Sequence, residues 1–354
     1  MVSATTGAGQ TIAITPLRRF IGDVCRTLGV PPDDAVVIAD GMVWAELRGI
    51  DLGTRRLPTL AAAIRGGGTK AAPARRVIKD ARSLAVLDAD DSWGQPAAAQ
   101  AMRIAIGKAR DAGVGACVVR NTGNSLAMGY YPSIAIGERL VGAAFTNALP
   151  LQAPWGGLRK VLGNQAFAIG VPAARHMPLL FDSATTAITW AGIHEYVARG
   201  ERLPEGLAVD AEGRPTTEPT AALAGRLLPM GGHRGFGIAL MWEVLTGILS
   251  GGEMWGPTVR GISDDKSAGQ STFLVAIDPA VAMPYETFTT RVDDLIDQVH
   301  ASPPAAGVDR VYVPGERSAE MARTRERDGV TLSAARVMEL RTLGESCGVA
   351  WPAA

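Results

Sequence analysis

The chain has 354 residues, with 35 basic and 35 acidic side chains and an apolar fraction of 47%. This length is sufficient for one large domain or two ordinary ones. The balanced charge gives no reason to expect a nucleic-acid partner, because phosphate backbones are usually bound by clusters of excess Lys and Arg. The sequence has no run of about 18 apolar residues and no basic-then-apolar start, so we expect no membrane association and a cytoplasmic location.

Cysteines and histidines give no sign of a disulfide or metal site. The three cysteines are spread over the chain, at Cys25, Cys117 and Cys347. They form no CxxC pair, so each is expected to be a small buried hydrophobic residue in a reducing compartment. The four histidines are at His176, His194, His233 and His300. No two of them have metal-ligand spacing, so we expect no metal.

Hydrophobic periodicity and turn residues predict a mixture of helices and strands. In the first half of the chain they predict helices over residues 17–28, 32–48 and 60–64, a hairpin of strands 76–79 and 84–88, a helix over 96–112 and a buried strand over 114–120. In the second half they predict strands over 141–146, 167–171 and 178–182, an ordered surface loop over 201–223, a buried apolar helix over 236–249, a strand over 272–277, and helices over 285–300, 319–327 and 333–343, with a short strand over 310–313. This order indicates a mixed α/β fold with helices at both chain ends.

Common nucleotide-binding and hydrolase motifs are absent. Residues 111–116 contain two glycines, but they lead into a strand instead of a helix, so they do not form the GxGxxG fingerprint of a Rossmann unit. The sequence has no GxxxxGK[ST] loop and no GxSxG elbow. A Rossmann dehydrogenase, a P-loop protein and a serine hydrolase of the α/β type are therefore not indicated.

A series of short motifs does match one family, in the right order over about 300 residues of the chain. They are AELRG and RLP in the first 60 residues, VRN and GYY at 119–121 and 129–131, TN at 146–147, PWGG at 154–157, FDSAT at 181–185, GRPTT at 213–217, LPMGGHRG at 228–235 and PGE at 314–316. With these motifs the chain resembles the type 2 malate/lactate dehydrogenases. That family includes ureidoglycolate dehydrogenases, diketogulonate reductases and reductases of cyclic imino acids.

The resemblance implies a fold, a cofactor and an assembly. The fold is a non-Rossmann α/β fold with a mixed, largely antiparallel sheet. The cofactor is NAD or NADP, the substrate a small molecule with a carboxylate, and the assembly a homodimer with its active site near the subunit interface. On this basis we divide the chain into an N-terminal helical segment (11–70) packing with the C-terminal helices (285–354), a central α/β region (71–130 and 268–284) and a cofactor-binding α/β region (131–267).

The resemblance also assigns site residues. Arg56 matches the arginine that holds the substrate carboxylate, for which a guanidinium fork is well suited. His233 matches a loop that approaches the active site. The matches to cofactor-binding positions are Thr146, Asn147, Asp182, Ser183, Ala184, Arg234, Pro314, Gly315 and Glu316.

Two active-site loops differ from the family pattern. The first normally reads RGxDSHGVxRLP, whereas residues 48–58 are one residue shorter and contain no histidine. The second normally reads NSxHFGxAGYY, and Asn124 occupies the position of the histidine assigned to proton transfer. Asparagine can form hydrogen bonds but cannot titrate. On the cofactor side, residues 164–166 replace Thr-Asn-Pro, and Gly192 and Arg234 each align with a lysine.

Three functional hypotheses follow. The first is an NAD(P)H-dependent oxidoreductase acting on an imine or a 2-oxo/2-hydroxy acid. A protonated iminium already carries its proton, so the loss of a general acid costs less there than with a ketone. Arg56 would hold the carboxylate, Asn124 would orient the substrate, and Asp51 or Asp182 would manage proton transfer. The second is a non-redox cyclase, lyase or isomerase of a specialised biosynthetic pathway on the same scaffold, and the third is a binding protein without catalysis.

Overall fold

The structure is a computed structural model that describes residues 9–263 and 265–352. Its longer helices are α1 (Ile14–Thr27), α2 (Pro32–Leu47), α3 (Leu57–Gly66), α4 (Gly94–Ala112), α5 (Tyr130–Gly137), α6 (Trp190–Arg199), α7 (Pro219–Ala224), α8 (His233–Glu243), α9 (Tyr285–His300), α10 (Glu316–Asp328) and α11 (Ala334–Ser346). Its strands are β1 (Gln10–Ile12), β2 (Arg76–Asp80), β3 (Leu84–Ser92), β4 (Val114–Thr122), β5 (Val141–Thr146), β6 (Phe167–Val171), β7 (Leu179–Ser183), β8 (Ala208–Val209), β9 (Arg226–Leu227), β10 (Gln270–Ile277) and β11 (Val330–Leu332).

The main sheet has seven strands in the order β2-β3-β4-β10-β5-β6-β7. Strands β3 and β4 are parallel, and every other neighbouring pair is antiparallel. The expected mixed, largely antiparallel sheet is therefore confirmed. The expected hairpin is confirmed as well, because β2 pairs antiparallel with β3 and places Arg76 opposite Asp88.

Helices cover one face of this sheet tightly. α4 and α5 pack on it through a cluster of small residues, which includes Ala101 and Ala105 on α4 and Ala144 and Ala276 on the strands. The approach is close enough that a Cβ atom on Gly115 of β4 would lie 2.1 Å from the carbonyl oxygen of Ala105. Glycine at this position therefore permits the distance between helix and sheet.

A separate hydrophobic cluster joins the two ends of the chain. It contains Leu17 of α1, Met42 of α2, Leu60 of α3 and Leu340 of α11. Strands β1 and β11 pair beside it, with Gln10 opposite Leu332. Residues far apart in sequence thus form one helical layer. α9 contributes no residue to this cluster, and its Asp293 instead accepts hydrogen bonds from the backbone N–H groups of Arg175 and His176.

The structure corrects two predictions. Residues 310–313 form no strand, and the adjacent backbone contact is a single hydrogen bond from Leu180 N to the Pro314 carbonyl oxygen, 3.1 Å long. The apolar segment 236–249 is helical but not buried: α8 passes into a π-helical turn (Val244–Ile248), and Met241 and Ile248 are each 51% exposed. Periodicity alone did not distinguish a core helix from a helix with an open apolar face.

Two smaller differences concern the loop at 201–223 and the cysteines. The loop contains β8, and α7 begins within it. Cys25 and Cys117 are buried, as expected, but Cys347 is partly exposed. Within the described residues, no helix is both long and apolar enough to cross a membrane.

Candidate active site

A cavity of about 510 Å³ lies where the helical layer at the chain ends meets the sheet. We call it the α2–α10 cavity. It is lined by Trp44, Leu47 and Arg48 of α2, Tyr130 and Ser133 of α5, Leu180 of β7, and Gly315, Ala319 and Arg323 at α10, together with Arg18, Asp40, Ile136, Met177, Pro178, Ala322 and Glu326. Its size is typical of a pocket for a small molecule or cofactor.

The α2–α10 cavity combines cations with aromatic rings. The guanidinium of Arg48 lies over the Trp44 ring, 4.0 Å from its centroid. Its Nε atom is buried and has no hydrogen-bond partner, and burial lowers the pKa of Arg48. Arg18 pairs with Asp40 at 2.7 Å, whereas Arg48 and Arg323 form no salt bridge within the described residues. The charge of Glu326, which also lines the cavity, acts to raise the pKa of Arg48 but does not outweigh burial. Such a lining favours an anionic ligand with a planar group.

Asp182, near the end of β7, lies beside this cavity. Its carboxylate accepts a 2.8 Å hydrogen bond from the backbone N–H of Gly129. Burial raises the pKa of Asp182 to about 6, and the Gly129 hydrogen bond only partly opposes the shift. A Cβ atom on Gly129 would lie 2.7 Å from the Trp44 ring and 2.9 Å from the Asp182 carboxylate. Glycine at 129 is therefore what allows the carboxyl group to reach the backbone of the second active-site loop.

The PGE segment closes the same cavity. A Cβ atom on Gly315 would lie 2.7 Å from the carbonyl oxygen of Leu180, and its φ of +88° suits glycine. Glu316 is 7% exposed and accepts hydrogen bonds from Val313 N at 3.1 Å and His300 Nε2 at 2.9 Å. Burial acts against its ionisation, but these bonds outweigh burial and lower the pKa of Glu316. Its carboxylate therefore anchors the segment, while Pro314 and Gly315 face β7.

The first loop holds Arg56 without a salt bridge to any carboxylate in the described part of the chain. Glu46 fixes the loop by accepting hydrogen bonds from Thr54, at 2.7 Å from the backbone N–H and 2.5 Å from the hydroxyl. Asp51 pairs with Arg55 at the exposed surface. Arg56 is half-buried and its Nε has no partner, and burial, followed by the charge of Arg55, lowers its pKa. A cation held in this way is suited to a carboxylate ligand.

The second loop places Asn124 beside the first residue of α4. Its Oδ1 accepts a 2.7 Å hydrogen bond from Leu126 N, which leaves its amide N–H groups as donors. The backbone carbonyl oxygen of Asn124 would lie 2.4 Å from a Cβ atom on Gly94, the first residue of α4. Leu126 belongs to the same hydrophobic cluster as Leu57, the residue after Arg56. Each of the two loops therefore contributes an apolar residue to this cluster.

Four other predicted positions, His233, Arg234, Ser183 and Ala184, lie apart from the cavity lining. His233 and Arg234 are exposed at the start of α8, where His233 contacts the edge of Trp155 with 6.4 Å between ring centroids. Ser183 donates to the Ala184 carbonyl oxygen at 3.0 Å, at the end of β7. None of these residues lines the α2–α10 cavity, and neither do Arg56, Asn124 and Asp182.

Thr146 and Asn147 are buried in an internal network. Thr146 Oγ1 donates to the Ser271 carbonyl oxygen at 3.1 Å, and Asn147 Oδ1 accepts from Ser271 N at 2.8 Å. Asn147 Nδ2 donates to Glu243 at 3.2 Å, and the Gln165 amide donates to the same carboxylate at 2.5 Å. Glu243 also accepts from Gly256 N at 2.7 Å.

Sequence reasoning did not identify Glu243. The available signal was that it is the sole charged side chain in the apolar segment 236–249. Gln165 takes a φ of +37°, which is uncommon for a residue with a side chain, and its amide ends on this carboxylate. Glu243 thus holds both ends of the β5–β6 connection.

Within the described residues, no group of three or more His, Cys, Asp or Glu side chains could hold a metal ion.

The fold and the cavity define an α/β enzyme whose described sheet has a single parallel pair and is not doubly wound. The chain belongs to the malate/L-lactate dehydrogenase family, whose model matches residues 12–341. The resemblance inferred from the motifs is therefore confirmed, and the protein is an oxidoreductase of the dehydrogenase and reductase type.

Individual relatives match most of the chain. The malate dehydrogenase of Pyrococcus horikoshii is 34% identical over 339 residues, which cover 93% of each chain. The ureidoglycolate dehydrogenase (NAD(+)) of Escherichia coli O157:H7 is 32% identical over 303 residues, covering 85% of this chain and 86% of the relative.

Solved structures give the same result. The sulfolactate dehydrogenase from Methanocaldococcus jannaschii has a TM-score of 0.91 and 33% identity, covering 96% of this chain and 98% of that one. The delta1-piperideine-2-carboxylate reductase from Pseudomonas syringae pvar. tomato has a TM-score of 0.85 and 28% identity, covering 94% and 99%. The expected α/β fold is confirmed over nearly the whole chain.

Proposed function

We propose that the protein transfers hydride between NAD or NADP and a small carboxylate-bearing imine or 2-oxo/2-hydroxy acid, with proton-transfer groups that differ from the family pattern. The observation that carries this proposal is the α2–α10 cavity, whose lining contains two arginines, Arg48 and Arg323, that form no salt bridge within the described residues. The carboxyl group of Asp182 lies beside this cavity, next to Gly129. The relatives act on carbon atoms next to a carboxylate, as malate, ureidoglycolate and piperideine-2-carboxylate enzymes.

The residues of the cavity fit a dinucleotide. Arg48 and Arg323 would pair with its diphosphate through charge-assisted hydrogen bonds. Trp44 and Tyr130 offer apolar ring faces in the same lining. When bound, the nicotinamide supplies or accepts the hydride. No side chain in the lining distinguishes NAD from NADP.

Arg56 is the proposed anchor for the substrate carboxylate. It is half-buried and its neighbour Arg55 takes Asp51, so Arg56 keeps its charge for a ligand. A planar guanidinium can bind a carboxylate through two parallel hydrogen bonds and so fixes the orientation of the substrate. Asn124 would then donate an amide N–H to the carbonyl oxygen or imine substituent, since its Oδ1 is used within its own loop.

Asp182 is better suited than Asp51 to move a proton. Asp51 is exposed and ion-paired. Asp182 has a pKa raised to about 6 by burial, so a protonated fraction persists near neutral pH. It contacts Gly129, which lies in the same loop as Asn124. We therefore infer that the Asp182 carboxyl group holds and donates the proton for reduction of a carbonyl, whereas an iminium needs little help.

Cofactor binding tests the proposal first. We expect NADH or NADPH to bind with micromolar affinity in calorimetric titrations, and Arg48→Met to weaken binding about tenfold, because a charge-assisted hydrogen bond contributes about 1.5–3 kcal/mol. Arg82→Met, at an exposed position in the β2–β3 turn, is the matched control and should bind as the unmodified protein does. Absence of binding to millimolar cofactor would contradict hydride transfer and favour a non-redox cyclase, lyase or isomerase.

Turnover then tests the altered proton chemistry. We expect reduction of cyclic imines to exceed reduction of 2-oxo acids. Asn124→His should add activity toward 2-oxo acids, because a positioned general acid contributes about 10²–10⁴-fold. Arg56→Met should lower kcat/KM about 10²-fold through KM, with Arg82→Met unchanged. An Asn124→His variant that reduces no 2-oxo acid would contradict the assigned role of this position.

We also infer a homodimer. The open face of α8 and its π-helical turn exposes Ile238 at 36%, Met241 at 51%, Val244 at 39% and Ile248 at 51%. Their spacing puts them on one side of the helix, and a contiguous apolar face of this kind is usually covered by a partner. A second copy of the chain would cover it by two-fold symmetry.

Sedimentation equilibrium tests this assembly. The unmodified chain should have the mass of a dimer, and Met241→Glu should shift it toward monomer because a charge would then be buried. Val281→Glu is the control, since Val281 is 73% exposed and lies outside this face. A monomeric unmodified chain at micromolar concentration would exclude the homodimer.

A further inference from the structure

A second cavity lies apart from the α2–α10 cavity, and none of the residues given a role in the proposed reaction lines it. It has a volume of about 370 Å³ and we call it the Trp155 cavity. Its lining is mostly apolar and includes Ala153, Pro154, Trp155, Leu158, Val209 and Pro229. The two cavities share no lining residue. Its volume is within the range of small-molecule pockets.

One buried cation faces this apolar space. Arg226 lines the cavity and is 7% exposed. It lies on β9 opposite Val209 of β8, and a Cβ atom on the preceding Gly225 would lie 1.8 Å from the Val209 carbonyl oxygen. The short two-stranded sheet therefore fixes the direction in which Arg226 leaves the backbone.

Arg226 has no carboxylate partner within the described residues. Its Nε donates to the Leu158 carbonyl oxygen, and its two terminal nitrogens donate to the carbonyl oxygens of Asp210 and Ala211, each at 2.8 Å. A guanidinium has five N–H groups, so two remain after these three bonds. Carbonyl oxygens solvate the charge but do not neutralise it, and a buried, unpaired charge is costly.

The nearest charges do not compensate for it. The Asp210 carboxylate pairs with Arg214 at 2.9 Å. Lys160 lies close by, and burial together with the charge of Arg226 lowers its pKa. The local field is therefore positive, which is the complement of an anion.

The mouth of the cavity offers an aromatic surface. Trp155 is 57% exposed and Leu158 is 60% exposed, although both are large apolar side chains. Gly213 has a φ of +85°, and a Cβ atom there would lie 2.6 Å from Leu158 Cδ2. The glycine thus keeps room for Leu158 beside the pocket, and the Trp155 ring is left available for stacking.

We propose that the Trp155 cavity is a second binding site, for a small organic anion whose flat apolar body packs on Trp155 and whose carboxylate or phosphate group pairs with Arg226. The anion takes the two free N–H groups of Arg226 and neutralises a charge that the protein leaves unpaired. Because Trp155 contacts His233, occupancy of this site also bears on the start of α8.

Paired ligands test the anion requirement without altering the protein. Full-length protein is titrated by calorimetry with indole-3-acetate and its neutral analogue indole-3-acetamide, and with adenosine 5′-monophosphate and adenosine. We expect the charged member of one pair to bind at least about tenfold more tightly than its neutral partner. Selectivity in the first pair identifies a carboxylate ligand, and selectivity in the second a phosphate. Equal binding within both pairs, or no binding up to about 10 mM, would overturn the proposal.

Variants test the location. Trp155→Ala should weaken the favoured anion about tenfold, whereas Trp255→Ala should leave binding unchanged, since Trp255 is 50% exposed and does not line the cavity. Arg226→Lys keeps the charge but not the guanidinium fork. If circular dichroism shows that the variant folds, its affinity for the anion should be lower than that of the unmodified protein but not abolished. Equal losses in the two tryptophan variants would place the ligand elsewhere.

Saturating NADH should not displace the anion, and displacement would overturn a site separate from the cofactor cleft.

Discussion

Two carboxyl groups on opposite faces of the sheet, Glu243 buried and Asp182 half-buried, show how the number of hydrogen-bond donors affects the role of an acidic side chain. Glu243, on the α8 face, accepts from two side-chain amides and one backbone N–H. Asp182, on the α4 and α5 face, accepts from one backbone N–H, and burial raises its pKa to about 6. A carboxylate supplied with donors stabilises the fold, whereas one with few donors remains able to exchange a proton.

Removing the Glu243 carboxylate should have the largest effect on stability. Glu243→Ala leaves the Asn147 amide, the Gln165 amide and Gly256 N without their acceptor, so we expect a loss of about 3–5 kcal/mol in the free energy of unfolding. Urea denaturation measures it. Glu195→Ala, at an exposed position on α6, is the control and should lose less than about 0.5 kcal/mol. Equal losses would mean that the network does not stabilise the protein.

Asp182→Asn should change the pH dependence of stability. The folded pKa of about 6 lies above the ordinary value of 3.8, so the folded state binds the proton more tightly than the unfolded state. The stabilisation is therefore fully present below about pH 4 and is lost as pH rises to about 6, amounting to roughly 3 kcal/mol. The asparagine variant should not show this decline. Denaturation at pH 4 and pH 7 measures the difference, and parallel declines would contradict the raised pKa.

Filling the space between Gly129 and Asp182 should have a smaller effect on stability. Gly129→Ala places a methyl group against Trp44 and the Asp182 carboxylate, so we expect a loss of about 1–3 kcal/mol and weaker cofactor binding. Gly137→Ala, at the end of the same helix α5, meets no atom within 4 Å and should be neutral or slightly stabilising. A Gly129→Ala protein as stable as Gly137→Ala would show that the contact at 129 is not tight.

The smallest effect is expected at the other candidate acid. Asp51 is exposed and paired with Arg55, and exposed ion pairs contribute little. Asp51→Asn should change the free energy of unfolding by less than about 0.5 kcal/mol at both pH values. A pH-dependent change as large as that at Asp182 would mean that the two carboxyl groups do not differ as proposed.

Local sequence signals predicted most elements of the fold. The helix over 96–112 and the strands over 141–146 and 167–171 agree with α4, β5 and β6 to within about two residues. The exposed face of α8 was not predictable from its apolar composition, because a helix bound to a partner and a core helix have the same periodicity. Sequence predicts a strand over residues 310–313 that the structure lacks, because sequence does not show whether a partner strand is present.

Sequence motifs determined the family, and with it the expected positions of Arg56, Asn124 and Asp182, since such motifs are local. The tertiary structure decided which ion pairs, hydrogen-bond partners and degree of burial each of these groups has. It pairs Asp51 with Arg55, buries Asp182 against Gly129, and connects Glu243 with residues 147, 165 and 256. Burial and hydrogen-bond partners depend on residues far apart in the chain, and they set the pKa and the charge balance on which chemistry depends.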